Sequence, residues 1–556
     1  MKMSLRKTLA SMPVLVVLAA LAAGVWAPTP CRAAASILIK PDSPRSVTGK
    51  DDVQQLKRLI SSTDYEFDPN AATTAECKRI GIRTIRCINV DLAGTFDKDG
   101  KFIISDSARL DWHLDGCRAL GAVPHVVIAC GVPADLQVKE ADVPDQYKAL
   151  IHGGAMFGPT DWTKFRAYCE AYFEYVMITK GFTNAEFEVG NEPDISGGLY
   201  PFPPKPAMGS RALYEAAFNL YKNVAEAAVS FEAKHPGVPV KLGGLALAWA
   251  YSFLYGDFNW AEHFIRDCGE QEVKLDFISV HYYGNTSSLD GEYPSGYPPF
   301  TGMLRTTQAA IDKYYPGLPI QITEWGGTYN GMGNSPDGRF NANNVGTAFG
   351  AAFLNTMLGC GVDKAFYLVT TDLRINKQGQ EAEGAMIDEW SWPALFLDTP
   401  LYGGKALPKP IFHLFEMVSQ LQGQRVEASR GNRTVNCFVA ADPDQRKITM
   451  LVWNYGAILH ETGPETETAV TENTAVHVLE AGSFFHTPQV MIGMTQVNKD
   501  TDNIYQMMTT GVVPDEKNTA VATLPTQTAQ INQGALDFSV VLPPSSVSLV
   551  TLTETP

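Results

Sequence analysis

From about position 51 to position 371 the chain alternates helical segments with short runs that stay apolar almost continuously, as at 82–90, 121–129, 275–283 and 364–371. A strand hydrophobic on both faces must be covered on both faces, so the alternation specifies a parallel sheet wrapped by helices. Seven such units follow from the run that holds Arg86, and a further strand expected before Thr74 completes eight. Eight units make an α/β fold, the (β/α)8 TIM barrel, whose chemistry sits at the carboxyl ends of the strands. The alternative, a doubly wound sheet, needs a glycine-rich phosphate loop after its first strand, and the sequence has none.

The grammar changes after Pro410. Runs at 434–441, 447–454, 475–479 and 536–553 are short, alternating and rich in Val and Thr, with Gly, Pro, Asp and Asn between them. This predicts a C-terminal all-β sandwich domain at 413–556 beside a barrel at 36–412, with 36–50 open to joining the sandwich as an added strand. A chain of 556 residues has the length for two such cores. No cluster of carboxylates falls in the sandwich, and no chemistry is assigned to it.

Lys2, Arg6 and Lys7 precede an apolar run at 14–23 and the small residues Ala33, Ala34 and Ala35. The succession reads as a signal peptide over 1–35, which implies a secreted protein, periplasmic or extracellular. A retained membrane anchor is the alternative, but the run falls short of a full span. Cleavage would remove four basic and no acidic residues, taking the formal charge from −16 to −20. Such a surface repels phosphate backbones, so no nucleic acid partner is expected. Eight cysteines would remain, none in C-x-x-C spacing and several in apolar runs. They read as buried thiols rather than zinc ligands, with one or two disulfides left open, and neither a metal nor a cofactor is expected.

Two of the apolar runs end in glutamate. Phe187-Glu188-Val189-Gly190-Asn191-Glu192-Pro193-Asp194 stops at a carboxylate next to a proline, which cannot extend a ladder and restricts its predecessor. Pro319-Ile320-Gln321-Ile322-Thr323-Glu324-Trp325 ends in a second glutamate 132 residues on (324 − 192). Two strand-end carboxylates from different βα units are the minimum that acid and nucleophile chemistry at one site requires.

These runs, in this order, resemble the clan A retaining glycoside hydrolases and, more narrowly, glycoside hydrolase family 39, over about 60–555. The resemblance is carried by Arg86, by Asn191-Glu192-Pro193 after the fourth strand and by Asp276-Phe277-Ile278-Ser279-Val280-His281-Tyr282-Tyr283. Glu324 after the seventh strand, Lys409-Pro410 and Leu542-Pro543-Pro544-Ser545-Ser546-Val547 complete it. It implies a carbohydrate substrate and a covalent glycosyl-enzyme, with Glu192 as acid/base and Glu324 as nucleophile. It further implies Arg86 and Tyr283 as donors to Glu324, and Asn191 on the sugar 2-hydroxyl. His281 lies two residues before Tyr283 and so on the same strand face. Trp325 completes the expected substrate-binding set.

Blander readings stand beside each of these. Arg86 could neutralise buried carboxylates without serving catalysis, His281 could be a packed core residue, and Trp249, Trp325, Trp390 and Trp392 could fill space. A non-catalytic carbohydrate-binding protein on the same scaffold is the alternative function. Departures from the family pattern bear on specificity. Ile88 stands where the family has His, with Asn89 or Asp91 as stand-ins; Leu368 stands where a tryptophan floors the sugar; and Gly190 replaces a bulky residue. A site wider or differently floored than a xylosidase's is therefore expected.

Overall fold

The computed structural model describes residues 35–47, 49–64, 71–142, 156–195, 199–200, 211–248, 259–284, 300–327, 340–372, 374–376, 386–388, 392–397, 403–456, 458–459, 466–467 and 469–555. The expected signal peptide, Trp249, Trp390 and most of the insert after Tyr283 lie outside them.

Eight parallel strands close into a ring in chain order: Ser61–Asp64, Thr84–Cys87, Val123–Ile128, Glu186–Val189, Lys241–Leu247, Phe277–Tyr283, Ile320–Gly326 and Lys364–Tyr367. The first, with Phe366 opposite Ser61 and Arg86 opposite Thr63, supplies the unit that the sequence left unplaced. Its residues, Ser-Ser-Thr-Asp, are all buried yet polar, which is why it carries no hydrophobic signature. Helices start at side-chain caps on the connections, for instance Asp161 on the backbone N–H of Thr163 and Lys164, and Asn259 on that of Glu262. The last barrel helix, Pro410–Ser419, runs past the expected boundary at 412 and buries Ile411, Phe412, Leu414 and Phe415.

The fifth strand runs through Gly243-Gly244. Gly243 pairs with Phe277, and a Cβ there would lie 2.4 Å from both the Phe277 ring and its carbonyl oxygen. The glycine admits a neighbouring ring that fills the barrel; it is not a turn signal.

The barrel interior is polar along its axis. Lys364 and Gln321 donate to Glu186 near the amino ends of the strands. His125 Nδ1 faces Glu186 at 3.4 Å, while its Nε2 lies 3.7 Å from Glu188. The Phe277 and Phe366 rings flank the imidazole, with centroids at 5.3 and 4.9 Å.

Nine further strands close a flattened second ring, the all-β domain. Its order is Ser36–Pro44, Gln424–Ala428, Val435–Asp442, Lys447–Asn454, Ser546–Glu554, Gln489–Val497, Ala522–Asn532, Ala535–Leu542 and Glu472–Val478. Ser36–Pro44 runs antiparallel to Gln424–Ala428 and parallel to Glu472–Val478. Ile37, Ile39, Val439, Val452, Val476 and Val550 pack inside this ring. Phe438, Leu451, Trp453 and Leu549, from the opposite faces of three strands, join the core of the barrel. The eight described cysteines are free thiols, Cys87 and Cys117 approaching to 4.0 Å. Among the described residues no helix is long and apolar enough to cross a membrane.

Gly243→Ala is expected to lower the barrel's stability by ~1–3 kcal/mol, since the clash is with backbone as well as with a packed ring. Gly493→Ala, where a Cβ meets nothing within 4 Å, is the control and should stay within about 0.5 kcal/mol. Urea midpoints of the two variants check this, and equal midpoints would refute the packing account.

Candidate active site

Arg86, on the second strand, is wholly buried, and its guanidinium donates in three directions. Nε reaches Glu188 at 2.6 Å, Nη1 reaches Glu324 at 2.8 Å and Nη2 reaches the Asn191 side-chain oxygen at 2.7 Å. A buried guanidinium is tolerated only when its donors are met, and here two carboxylates and an amide meet them. Burial alone would push the Glu188 carboxyl up, but the Arg86 charge and His125 bring it well below the ordinary carboxylate range.

Glu324 reaches the interior through an irregularity. Gln321 faces inward onto Glu186, so strict alternation would carry Thr323 and Trp325 inward and Glu324 outward. Between Ile322 and Glu324 the register against the sixth strand slips by one residue, which sets Glu324 opposite His281. Such a bulge re-aims a side chain. Tyr283, inward on the same strand as His281, donates its hydroxyl to the second oxygen of Glu324 at 2.8 Å. Each oxygen of Glu324 therefore has its own donor.

The same slip corrects the expectation for Trp325. Its side chain points away from the barrel mouth and is fully buried against Tyr367, Phe353 and Phe415, with ring centroids at 4.8, 5.4 and 6.2 Å. It fills the layer between strands and helices and cannot contact a substrate.

Glu192 sits on the loop after the fourth strand. Gly190 has φ +74° and Glu192 φ +50°, so the chain turns twice through the left-handed region. Gly190 accordingly answers a backbone requirement, while Glu192 bears a strain of roughly 1–2 kcal/mol. Two hydrogen bonds hold the loop: Gly190 N–H to the Ile128 carbonyl at 2.9 Å, and Glu192 N–H to that of Ala246 at 3.0 Å. The Glu192 carboxylate faces His281 Nδ1 at 2.9 Å, and that nitrogen is also 3.4 Å from Glu324. Burial pulls the His281 pKa down, but the charge of Glu324 and the bond to Glu192 outweigh it, leaving the ring raised above its ordinary value. Glu192 is the more open of the two glutamates, its side chain 24% exposed against 7% for Glu324.

An oxygen of each glutamate and Nδ1 of His281 all lie within 4.8 Å of one another. These three atoms could approach a cation. The Arg86 charge 2.8 Å from Glu324 opposes one.

The positions that depart from the family pattern also find places. Ile88 is buried; Asn89 is exposed with φ +58°; Asp91 is half-buried, its carboxyl pushed up to about 6 by burial against the opposing bond from Tyr168. Leu368 is buried in a cluster with Val369, Ala394 and Trp392, and Tyr283 packs against them. The aromatic side chain in that cluster comes from the returning segment, at Trp392. Glu188 and His125 were assigned no role from sequence. Their signal was a glutamate at every second residue, 186 and 188, inside an otherwise apolar run.

A closed parallel barrel with paired carboxylates at its carboxyl-terminal mouth is an architecture that glycoside hydrolases use. Residues 180–507 match the model of glycosyl hydrolases family 39, more than half of the chain, and the protein belongs to that family. A beta-xylosidase of Caldicellulosiruptor saccharolyticus is 24% identical over 428 residues, 73% of this chain and 72% of that protein. The structure is similar to that of the GH39 enzyme from Xanthomonas axonopodis pv. citri, with TM-score 0.68 and 17% identity, covering 94% of this chain and 98% of that one. It is also similar to a monomeric beta-xylosidase from Caulobacter crescentus, with TM-score 0.66 and 17% identity over 94% and 100% of the two chains.

Because the folded-state pKa of Glu188 is depressed, its contribution to stability is present above the unfolded carboxylate value, ~4.3, and is lost as pH falls below it. Glu188→Gln should cost about 3 kcal/mol at pH 7 and lose less than the wild type on acidification. Denaturation midpoints from pH 7 to pH 3 test this; parallel pH curves for the two proteins would refute it.

Proposed function

We propose that the protein is a secreted retaining glycosidase that cleaves an O-glycosidic bond of an oligo- or polysaccharide by double displacement. The observation that carries this reading is the approach of the two glutamates, whose oxygens come within 4.8 Å. Retaining enzymes hold their carboxyls ~5–5.5 Å apart, whereas inverting enzymes need ~6.5–9.5 Å to admit a water between carboxylate and sugar. Secretion rests on the basic, apolar and small-residue succession at 1–35.

In this mechanism Glu324 attacks the anomeric carbon while Glu192 passes its proton to the departing oxygen. Arg86 and Tyr283 each donate to one oxygen of Glu324 and aim it before attack, and these bonds weaken as its charge moves into the new ester. The more open Glu192 faces the side from which the leaving group departs and water enters. With its proton on Nδ1, 2.9 Å from Glu192, His281 donates to that carboxyl, orienting it and holding the carboxylate left once the proton has passed to the leaving oxygen. Glu192 then takes a proton from water, which attacks the glycosyl ester and releases the sugar with its configuration retained. Asn191, fixed by Arg86, is left with its amide N–H groups for a sugar hydroxyl.

A fluorinated activated glycoside should attach to Glu324, as read by peptide mass spectrometry, and early product should show retained configuration by NMR. Glu192→Ala should slow poor leaving groups by roughly 10²–10⁴-fold and activated ones far less, with azide restoring turnover. An inverted product, or equal loss on both substrates without rescue, would overturn the assignment.

The beta-xylosidase relatives support a β-linked sugar, while Ile88 and Leu368 depart from the family's small-sugar contacts. Activity on aryl β-xyloside is expected to be weak, with kcat/KM rising about tenfold or more toward longer oligosaccharides, because remote subsites add transition-state binding. A flat length series with aryl β-xyloside as best substrate would return the protein to plain β-xylosidase.

A further inference from the structure

The eighth connection does not pass directly from strand to helix. After Lys364–Tyr367 the chain continues as Val369–Thr371, which pairs in parallel with the returning segment Ala394–Phe396. Phe396 in turn bridges Pro408, immediately before helix Pro410–Ser419. The connection leaves this small sheet at Asp372 and re-enters at Trp392.

Lys409 joins the two ends. It is wholly buried, and its ammonium donates to both oxygens of Asp372, at 2.9 and 3.3 Å, and to the Trp392 carbonyl at 2.6 Å. Its own backbone N–H donates to the Leu395 carbonyl at 2.8 Å. An ammonium on a flexible stem can aim separate donors at separate oxygens in this way; a planar guanidinium would impose its own fork.

What the cation fixes bears on the site. Trp392 belongs to the cluster on which Tyr283 packs, and Pro393 lies under the mouth of the seventh strand. A Cβ added at Gly326 would come within 2.8 Å of Pro393 and 3.4 Å of the Tyr283 ring. Tyr283 is the donor to Glu324.

We propose that Lys409 is a positioning residue for the reaction: by clamping Asp372 to the Trp392 carbonyl it holds Trp392 and Pro393 against Tyr283, and so fixes the Tyr283–Glu324 hydrogen bond. The proposal rests on Glu324 being the nucleophile.

Lys409→Met alone would strand a buried carboxylate, so the informative variant is Lys409→Met with Asp372→Asn, which removes both charges. On an activated aryl glycoside its kcat should fall on the order of tenfold to a hundredfold, with KM changed far less. The discriminating measurement is a cycle with Tyr283→Phe. If Lys409 acts through Tyr283, adding the pair of substitutions to Tyr283→Phe should cause little further loss of kcat, whereas independent structural damage would multiply. Lys409→Arg, which keeps the buried charge, serves in the same cycle if the neutral pair does not fold, and the same non-multiplying loss is expected of it. Multiplying losses overturn the proposal, as does an unchanged kcat. Labelling of the wild type by the fluorinated glycoside separates the premises: a label on Glu324 with multiplying losses removes only the role of Lys409, and a label elsewhere removes the catalytic reading and the proposal with it.

Discussion

The site depends on one buried cation. Arg86 has no access to water, and its three hydrogen bonds replace the hydration it gave up. Such a group is costly unless fully met, so its neighbours are constrained in turn. Glu188 must be ionised, Asn191 must present its oxygen, and Glu324 must stand in line with Nη1. The charge is balanced along the barrel axis through Glu188, His125, Glu186 and Lys364, with the exposed Lys241 3.8 Å from Glu186. A carboxylate held this way is oriented in advance, and on the proposed mechanism little reorganisation is left for the reaction itself.

How much of this was legible in the sequence follows from which signals are local. Runs buried on both faces announced seven barrel strands, and the two strand-end glutamates lay where those runs broke. The first strand was not legible, because Ser61, Ser62, Thr63 and Asp64 are buried for hydrogen bonding rather than for hydrophobicity. What Gly243 admits, the Phe277 ring, is 34 residues away in sequence (277 − 243) and cannot be seen from the glycine alone. Trp325 was assigned to the substrate because a one-residue slip in register cannot be seen from one strand alone. In the second domain Gln424–Ala428 was missed, as were Gln489–Val497 and Ala522–Asn532. The latter is largely exposed, rich in Thr and Gln, and broken by Pro525, so its alternation is faint.

The departures from the family pattern also change meaning once seated in the fold. Gly190 reads as a missing bulky side chain, yet its backbone occupies a region that disfavours any side chain. Leu368 reads as a missing aromatic, yet Trp392 is packed against it from a segment 24 residues further on (392 − 368). The aromatic ring beside Leu368 thus comes from a different segment. Differences at single positions translate poorly into the shape of a cleft when the connections themselves differ.

The strand Ser36–Pro44 closes the second ring, although 380 residues separate it from its partner Gln424–Ala428 (424 − 44). The barrel is therefore an insertion between the first and second strands of the domain beside it. At about 5–20 residues per second, synthesis of the partner follows that of the first strand by roughly 20 to 80 seconds, and the strand's backbone edges stay open until the two meet. The ring cannot close until its last strand, Ser546–Glu554, has left the ribosome. A chain cut short before Ser546–Glu554 would therefore keep strand edges unpaired, which quality-control proteases could recognise.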